Sequence, residues 1–284
     1  NEGDARIEAL DEALTIGRRA QLPVHISHFK ASGKPNWDRM SPAIARIQEA
    51  RQSGHRVTAD QYPYPASSTS LRMYLLPSNK IPGGNGNLKQ RMAEDAQLKE
   101  MLRKLVQEQL ARYPKIVFPA TNKTVRQLIE EQSDDPLDVA IAKQGDSVVC
   151  FSMCEENVRL VMQCDFVATG SDGPVPHPRT YGTFPRKFRR YVVEEKLLSL
   201  EKAVRQSSGL VADIFGLSER GYLRAGCLAD VVVFDLENFV DHATFVDYTK
   251  PATGVRYLFV NGQTTVENSE ATGVLAGRAL RGLA

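Results

Sequence analysis

The alternation of helices and strands at the start of the chain is the feature that most restricts its fold. The apolar stripe of residues 4–20 predicts a helix, and the stretch 24–28 predicts a short strand after it. A second helix is expected to begin at Ser41-Pro42, because an N-cap serine followed by proline is typical of a helix start. A second strand follows at 56–60. This order, with short links, predicts an α/β protein with a parallel sheet or barrel.

A long stretch between residues 76 and 147 interrupts this alternation. It begins with a loop rich in glycine and asparagine and continues as charged helical segments, with a short apolar run at 116–118. We expect this stretch to be an insertion that covers the mouth of a barrel as a flap. The alternation then resumes with predicted strands at 148–151 and 166–168 and a predicted helix at 155–162.

The character of the sequence changes after Gly221. The following segment is rich in valine, and further on Asn261-Gly262 separates two runs with high β-propensity. Asn-Gly is a favoured residue pair for the tight turn of a β-hairpin. The sequence therefore predicts a small β-rich module at 222–284, attached to a larger α/β portion at 1–221.

Composition and charge exclude several classes of protein. The chain has 284 residues and a formal net charge of +2, which is too small to indicate a nucleic acid or an anionic membrane as partner. No run of about 18 apolar residues is present, so we expect no membrane-spanning helix. The four cysteines form no Cys-x-x-Cys pair, which favours free thiols in a reducing compartment and hence a cytoplasmic location.

The loop after the predicted strand at 166–168 has the most distinctive chemistry in the chain. It carries Asp172 between two glycines, followed by prolines, His177 and Arg179. A plain turn needs the glycines and a proline, but it needs neither the acid nor the fixed cation. Loops held by a rigid scaffold commonly carry binding and catalytic groups. This pattern therefore predicts a functional site.

Polar side chains also end the other predicted strands. His28 ends the first strand, Asp60 and Tyr62 end the second, and Asp172 follows the last. Because the carboxyl ends of strands in a parallel barrel meet at one face, we expect these groups to converge. His28 and Asp172 are suitable ligands for a divalent metal such as zinc. A lone histidine at a strand end is more often a structural residue, and the pairing with Asp172 favours the ligand interpretation.

A second set of residues has the chemistry needed to bind a carboxylate. Arginine offers a bidentate fork, and lysine, tyrosine and serine add further donors. The candidates are Lys30, Tyr62, Ser68 and Arg179. Taken singly, Lys30 is equally compatible with a solvated loop, and the loop of Tyr62 is more typical of a packed turn. The basic run at 186–190 is interpreted as a solvated helix face rather than a nucleic-acid patch.

Several groups of residues, taken in order, carry a family resemblance. They are Ile26-Ser27-His28-Phe29-Lys30, Asp60-Gln61-Tyr62-Pro63-Tyr64, Gly170-Ser171-Asp172-Gly173, His177-Pro178-Arg179, Tyr181-Gly182-Thr183-Phe184-Pro185-Arg186, Phe215-Gly216-Leu217 and Ala229-Asp230. Together they resemble the D-aminoacylases, which are the N-acyl-D-amino-acid deacylases of the amidohydrolase superfamily. The resemblance extends over the whole chain, and the set of motifs is specific although no single motif is.

The resemblance implies a fold and an activity. The fold is a TIM-like (β/α)8 barrel with an inserted flap and a small β-rich module, and a zinc-activated water hydrolyses the amide bond of an N-acyl-D-amino acid. His28 matches a metal ligand on the sixth barrel strand. Asp172 matches the eighth-strand aspartate that contacts metal and acts as general base and then as acid. The positions that match those holding the substrate carboxylate are Lys30, Tyr62, Ser68 and Arg179.

The resemblance also implies that part of the zinc site lies outside this chain. The remaining ligands, for one or two zinc ions, are expected upstream of residue 1, because catalytic zinc usually has three protein ligands and His28 and Asp172 are only two. We therefore expect the chain alone to be inactive, with an N-terminal half or a second copy as possible partner. Two alternatives remain. One is an inactive fragment or subunit. The other is a hydantoinase-like amidohydrolase for cyclic amides, which Lys30 and Arg179 disfavour because a cyclic amide has no free carboxylate.

Overall fold

The structure of the protein is a computed structural model that describes residues 2–132, 134–173 and 176–280. Pro174 and Val175 of the predicted site loop, and the last residues of the predicted C-terminal module, lie outside the described residues. Within the described ranges, no helix combines the length and the apolar composition needed to cross a membrane.

Strands and helices follow one another along the chain in three groups. The described strands are β1 (Val24–Ile26), β2 (Val57–Gln61), β3 (Ser67–Ser70), β4 (Ile116–Phe118), β5 (Lys123–Thr124), β6 (Ser147–Cys150), β7 (Val167–Thr169), β8 (Val231–Phe234), β9 (Val255–Val260), β10 (Gln263–Glu267) and β11 (Glu270–Ala271). The described α-helices are α1 (Arg6–Ala20), α2 (Met40–Gln52), α3 (Leu71–Leu75), α4 (Leu88–Glu94), α5 (Ala96–Arg112), α6 (Val125–Gln132), α7 (Pro136–Ala142), α8 (Glu155–Met162), α9 (Arg179–Arg186), α10 (Leu200–Ser207) and α11 (Gly209–Phe215). In addition, 3₁₀ helices span Lys34–Arg39 and Ser78–Lys80, and a π-helical segment spans Lys187–Glu194.

A parallel sheet forms in the order β1-β2-β7. Val24 pairs with Val57, and Ala59 pairs with Val167. Helices α1 and α2 pack against this sheet through a buried apolar cluster that includes Leu14 and Ile47. Burying one such side chain stabilises the fold by about 1.5–3 kcal/mol, so this cluster holds the strand ends in place. The α/β class is therefore confirmed, whereas the sheets of the described residues do not close a barrel.

The second helix begins earlier than the sequence predicts, and the first strand ends earlier. The 3₁₀ helix Lys34–Arg39 leads directly into α2, so Ser41 lies inside the helix and is not its N-cap. Pro35 occupies the first turn of this 3₁₀ helix, where its fixed φ suits helical geometry. β1 ends at Ile26, so His28 lies in the loop beyond the strand.

The segment predicted as an insertion belongs to a sheet of its own. Its strands are antiparallel in the order β3-β6-β4-β5, so the sheet already includes Ser67–Ser70, before the predicted boundary at residue 76. The strand predicted at 148–151 is present as β6, but it pairs with β3 and β4 in this antiparallel sheet and not with the parallel strands. The run Val148-Val149-Cys150 is apolar enough for either kind of buried strand, and only tertiary pairing distinguishes them.

The C-terminal part forms an antiparallel sheet in the order β11-β10-β9-β8. The predicted hairpin is present, and it turns at Asn261 and Gly262 with φ angles of 50° and 80°. Both angles are positive, as the tight turn requires. Phe239, which follows β8, packs with Phe188 in a shared apolar cluster, so this sheet is joined to the helical part of the chain by buried contacts.

Candidate active site

A cleft of about 740 Å³ opens where β1 and β7 end. It is bounded by the loops after these strands and by the antiparallel sheet with its helix α5. Among the predicted site residues, His28, Lys30, Ser68 and Asp172 line the cleft. The other two predicted residues lie behind them, since Arg179 contacts both Asp172 and the ring of Tyr62. The structure therefore brings all of the predicted site residues to one place.

His28 is held in an unusual backbone conformation at the edge of the cleft. Its φ angle is 40°, in the left-handed region that non-glycine residues rarely adopt. The backbone N–H of His28 donates to Asp60 Oδ1 at 2.7 Å. The ring atom Nδ1 lies 2.8 Å from Glu2 Oε1, and this contact raises the pKa of His28.

Lys30 is buried beside His28 and already has partners. Its Nζ donates to Glu2 Oε1 at 2.6 Å and to the backbone oxygen of His28 at 3.3 Å. Burial lowers the pKa of Lys30 although Glu2 acts to raise it. Burial acts to raise the pKa of Glu2, but the hydrogen bonds to His28 and Lys30 and the lysine charge outweigh it and bring that pKa to about 2. Glu2 therefore remains a carboxylate that connects the two side chains.

Asp172 and Arg179 form an ion pair at one wall of the cleft. Arg179 Nη2 lies 2.8 Å from Asp172 Oδ2, and the arginine side chain is 2% exposed while the aspartate side chain is 41% exposed. Asp172 has a φ angle of 50°, so the loop turns sharply at this residue and presents the carboxylate to the cleft. The sequence predicted separate tasks for the two residues, and the structure shows that they also contact each other.

Three side chains in or beside the cleft have buried polar atoms without a hydrogen-bond partner among the described residues. These atoms are Tyr62 Oη, Ser68 Oγ, Arg179 Nε and Arg179 Nη1. A buried donor that lacks a partner costs about 1–3 kcal/mol, so several of them in one place indicate that a polar ligand completes them. Because a guanidinium and two hydroxyl groups offer donors, an anionic group such as a carboxylate suits the site.

The aromatic ring of Tyr62 contacts two cations of the site. The guanidinium carbon of Arg179 lies 4.4 Å from the centre of its ring, and Lys30 Nζ lies 5.6 Å from it. Cations over an aromatic face are stabilised by about 0.5–2 kcal/mol. Burial raises the pKa of Tyr62 well above its usual range, so the phenol stays protonated and can donate a hydrogen bond.

His177 is a structural residue. It is fully buried, its Nε2 lies 3.1 Å from the backbone oxygen of Ala66, and its Nδ1 accepts the backbone N–H of Arg179 at 3.0 Å. Burial lowers the pKa of His177 to about 3, with the charge of Arg179 adding to the effect. The neutral ring therefore fixes the start of α9, which carries Arg179.

The predicted zinc ligands are of the right chemical type, but they are few. The imidazole of His28 and the carboxylate of Asp172 both line the cleft, and zinc accepts both kinds of donor. In the described ranges, no cluster of three or more His, Cys, Asp or Glu side chains could hold a metal ion. The two residues thus fit a zinc site in part.

The basic run at 186–190 is only in part the solvated helix face that the sequence suggested. Lys187 is 3% exposed, and its Nζ donates to Thr169 Oγ1 and Gln206 Oε1. Arg186 Nε donates to the backbone oxygen of Pro63. The run starts the π-helical segment, which turns part of the basic side chains toward the interior.

Two carboxylates of the site are absent from the set of predicted site residues. Glu2 resembles an ordinary acidic residue ahead of a helix, and local sequence offers no signal that it contacts His28 and Lys30. Asp60 was expected at a strand end, but it lies within β2, opposite Ala168. The one signal in the sequence was that Asp60 belongs to a predicted strand that lies between two others, each followed by a predicted site residue.

Known proteins are similar to this chain in both sequence and fold. Residues 156–266 match the model of the amidohydrolase family. The chain is 33% identical over 284 residues to a D-aminoacylase of Alcaligenes xylosoxydans xylosoxydans, which covers 99% of this chain and 53% of the relative. A solved D-aminoacylase with a binuclear metal centre superposes with a TM-score of 0.79 and 32% identity, over 98% of this chain and 54% of that one.

A second solved relative is the N-acyl-D-glutamate deacylase of Bordetella bronchiseptica, whose structure contains zinc and a phosphonate mimic of the tetrahedral intermediate. It superposes with a TM-score of 0.75 and 30% identity, over 93% of this chain and 51% of that one. The chain therefore spans about half the length of the relatives it matches. By sequence and by fold, it is similar to the D-aminoacylases and other N-acyl-D-amino-acid deacylases, and part of it matches the amidohydrolase family.

Proposed function

We propose that the chain provides part of a zinc-dependent amidohydrolase that removes the acyl group from N-acyl-D-amino acids. One observation carries the proposal. Among the described residues, buried donors of Tyr62, Ser68 and Arg179 lack hydrogen-bond partners beside a cleft that His28 and Asp172 also line. A small molecule with a free carboxylate would satisfy these donors. The similarity to deacylases that act on N-acyl-D-amino acids supports the same substrate class.

The substrate carboxylate would bind at the wall formed by Arg179 and Tyr62. Arg179 Nη1 can donate to one of its oxygens, while Nη2 stays with Asp172. Ser68 Oγ and Tyr62 Oη can donate from the sides. Lys30 uses two of its N–H groups for Glu2 and the His28 backbone, which leaves a third for the substrate. Fixing the carboxylate in this way turns binding into orientation of the amide.

Asp172 is the proposed proton carrier. Its carboxylate would take a proton from the attacking water as the new C–O bond forms. It would then return that proton to the amide nitrogen as the C–N bond breaks, giving the free D-amino acid and a carboxylic acid. His28 and Asp172 would hold zinc together with ligands that are not among the described residues. When bound, zinc lowers the pKa of water and polarises the amide carbonyl.

The proposed domain roles follow from the cleft. The sheet β1-β2-β7 would be the later part of a TIM-like barrel, within residues 1–221. The insertion would act as a flap, because Gln109 and Arg112 of α5 reach the cleft. Residues 222–284 would form the separate β-rich module.

A panel of substrates tests the proposed function. The gene product that contains this chain is purified with zinc and assayed with N-acetyl-D-amino acids, their L-enantiomers and a hydantoin. We expect turnover of the D-series, and Asp172→Asn should lower kcat by about 10²–10⁴-fold while zinc stays bound. Hydantoin hydrolysis without deacylation would favour the cyclic-amide alternative. Near-normal turnover by Asp172→Asn would exclude the proton-carrier role.

A further inference from the structure

Asp60 has contacts with both of the loops that form the catalytic part of the cleft. Its Oδ1 accepts the backbone N–H of His28 at 2.7 Å. The same atom lies beside Gly170, where an added Cβ would be 3.2 Å from it. Gly170 begins the loop that carries Asp172, and its own N–H donates to the backbone oxygen of Gln61. Asp60 therefore occupies the space between the two strand ends.

The bond from Asp60 matters because His28 has a strained backbone. A histidine at a φ angle of 40° lies in the left-handed region, and such a conformation persists only where its surroundings hold it. A hydrogen bond from an amide to a carboxylate is stronger than one to a neutral acceptor. The bond to Asp60 thus acts against the strain and fixes the direction in which the imidazole leaves the backbone.

A histidine on the neighbouring strand holds Asp60 itself. His25 Nε2 lies 2.8 Å from Asp60 Oδ2, and His25 Nδ1 lies 2.8 Å from Thr58 Oγ1. Both carboxylate oxygens of Asp60 therefore have partners: Oδ2 contacts His25, and Oδ1 accepts from His28. Side-chain rotation of Asp60 would break at least one of these contacts.

We propose that Asp60 is a positioning residue of the active site: it holds the His28 backbone in its left-handed conformation, and His25 keeps Asp60 in place. Glu2 completes the arrangement, since its contact with Nδ1 leaves Nε2 as the ring nitrogen that is available to a ligand. The positioning role rests on the proposed role of His28 as a zinc ligand. The hydrogen bond between Asp60 and the His28 backbone is independent of that role.

The test compares Asp60→Ala with Asp60→Asn in the gene product that contains this chain. Two quantities are measured: amide hydrogen exchange at His28, and zinc affinity by competition with a chromogenic chelator. In Asp60→Ala we expect faster exchange and a zinc affinity about 10–100-fold lower, as is usual when the partner of a ligating residue is removed. Asp60→Asn retains an acceptor oxygen, so we expect both quantities to stay within about threefold of the wild type.

A matched control separates positioning from a general loss of an acidic residue. Asp165 is 89% exposed, precedes β7 and pairs with Lys202 on the surface. Asp165→Ala should leave His28 exchange and zinc affinity unchanged. If Asp60→Ala fails to fold, His25→Gln serves in its place, because it removes the support of Asp60 and leaves the bond to His28 in the chain.

The outcomes separate this inference from the proposed function. Wild-type exchange at His28 in Asp60→Ala, or in His25→Gln where that variant replaces it, would overturn the positioning role. A lower melting temperature with unchanged zinc affinity would also overturn it, since that result would describe a purely structural residue. A wild-type protein that binds no zinc would refute the metal site, while faster exchange at His28 would still support the bond to Asp60.

Discussion

Two buried cations on consecutive helical segments have opposite surroundings. Arg179 begins α9 beside the cleft, and two of its guanidinium nitrogens have no partner among the described residues. Lys187 begins the π-helical segment, and its Nζ donates to Thr169 Oγ1 at 2.6 Å and to Gln206 Oε1 at 2.8 Å. Burial alone therefore does not identify a binding group: Arg179 has unpaired guanidinium nitrogens beside the cleft, whereas Lys187 does not line the cleft and binds two neutral acceptors.

The two environments also differ in how they treat the charge. The Arg179 guanidinium pairs with Asp172 and lies over the Tyr62 ring, so its charge is compensated at the cleft. Lys187 has neutral partners, and burial, with a smaller contribution from Lys202, lowers its pKa to about 7. Ionising Lys187 in the folded protein therefore costs free energy, whereas the surroundings of Arg179 stabilise its positive charge beside the cleft.

The largest expected effect is on substrate use when Arg179 is removed. Truncating one partner of a buried charge pair costs about 2–5 kcal/mol, so Arg179→Ala should lower kcat/KM for N-acetyl-D-amino acids roughly 30- to 4,000-fold. Steady-state kinetics on the zinc-loaded protein measure this loss. A substrate with an amidated carboxyl group should lose much less. Equal losses for both substrates would contradict the carboxylate-binding role.

The second prediction concerns the pH dependence of stability through Lys187. An unfolded lysine keeps its proton to about pH 10.5, while folded Lys187 releases it near 7. Between these values the unfolded state binds more protons, so this group makes the free energy of unfolding rise with pH, by at most about 1.4 kcal/mol per pH unit. Lys187→Met should remove this slope in urea unfolding between pH 7 and 9. The control Lys104→Met changes a lysine that is 70% exposed and should keep the wild-type slope.

The third prediction removes a partner of Lys187. Thr169 Oγ1 accepts from Lys187 and also lies 2.9 Å from Ser207 Oγ. Thr169→Val keeps the shape but leaves the ammonium with one acceptor fewer, which should lower the free energy of unfolding by about 1–3 kcal/mol. Ser207→Ala keeps the bond to Lys187 and should cost less. Equal costs in denaturant unfolding would show that the lysine bond adds nothing.

The smallest effect on stability is expected at the cleft. Among the described residues the Tyr62 hydroxyl has no hydrogen-bond partner, so Tyr62→Phe should not lower the free energy of unfolding while it weakens substrate binding. Tyr74 is the matched control, because its buried hydroxyl lies 2.7 Å from Ser67 Oγ and Tyr74→Phe should cost about 1 kcal/mol. A clear destabilisation by Tyr62→Phe would show that its hydroxyl has a structural task.

Local patterns predicted much of the secondary structure. Helix α8 has the predicted bounds, and the Asn261-Gly262 hairpin forms as expected. These features depend on apolar periodicity and on turn chemistry, which neighbouring residues determine. The site residues at the ends of β1 and β7 also converge in one cleft, because adjacent parallel strands place their carboxyl ends at one edge.

Other features depend on partners that are distant in sequence. The apolar run of β6 fitted a parallel strand equally well, but it pairs in the antiparallel sheet. Lys187 was interpreted as solvated because its neighbours are basic, but Thr169 and Gln206 enclose it. No local pattern reports which acceptors will surround a side chain.

The sequence by itself determined the α/β order, the family resemblance, and the chemical types of the cleft residues. Tertiary structure decided which of them are free and which are engaged: Arg179 keeps open donors, Glu2 connects His28 to Lys30, and Asp60 holds the backbone of His28. The physical reason is that periodicity and turn geometry are local properties, whereas burial and hydrogen-bond satisfaction belong to contacts made only when the chain has folded.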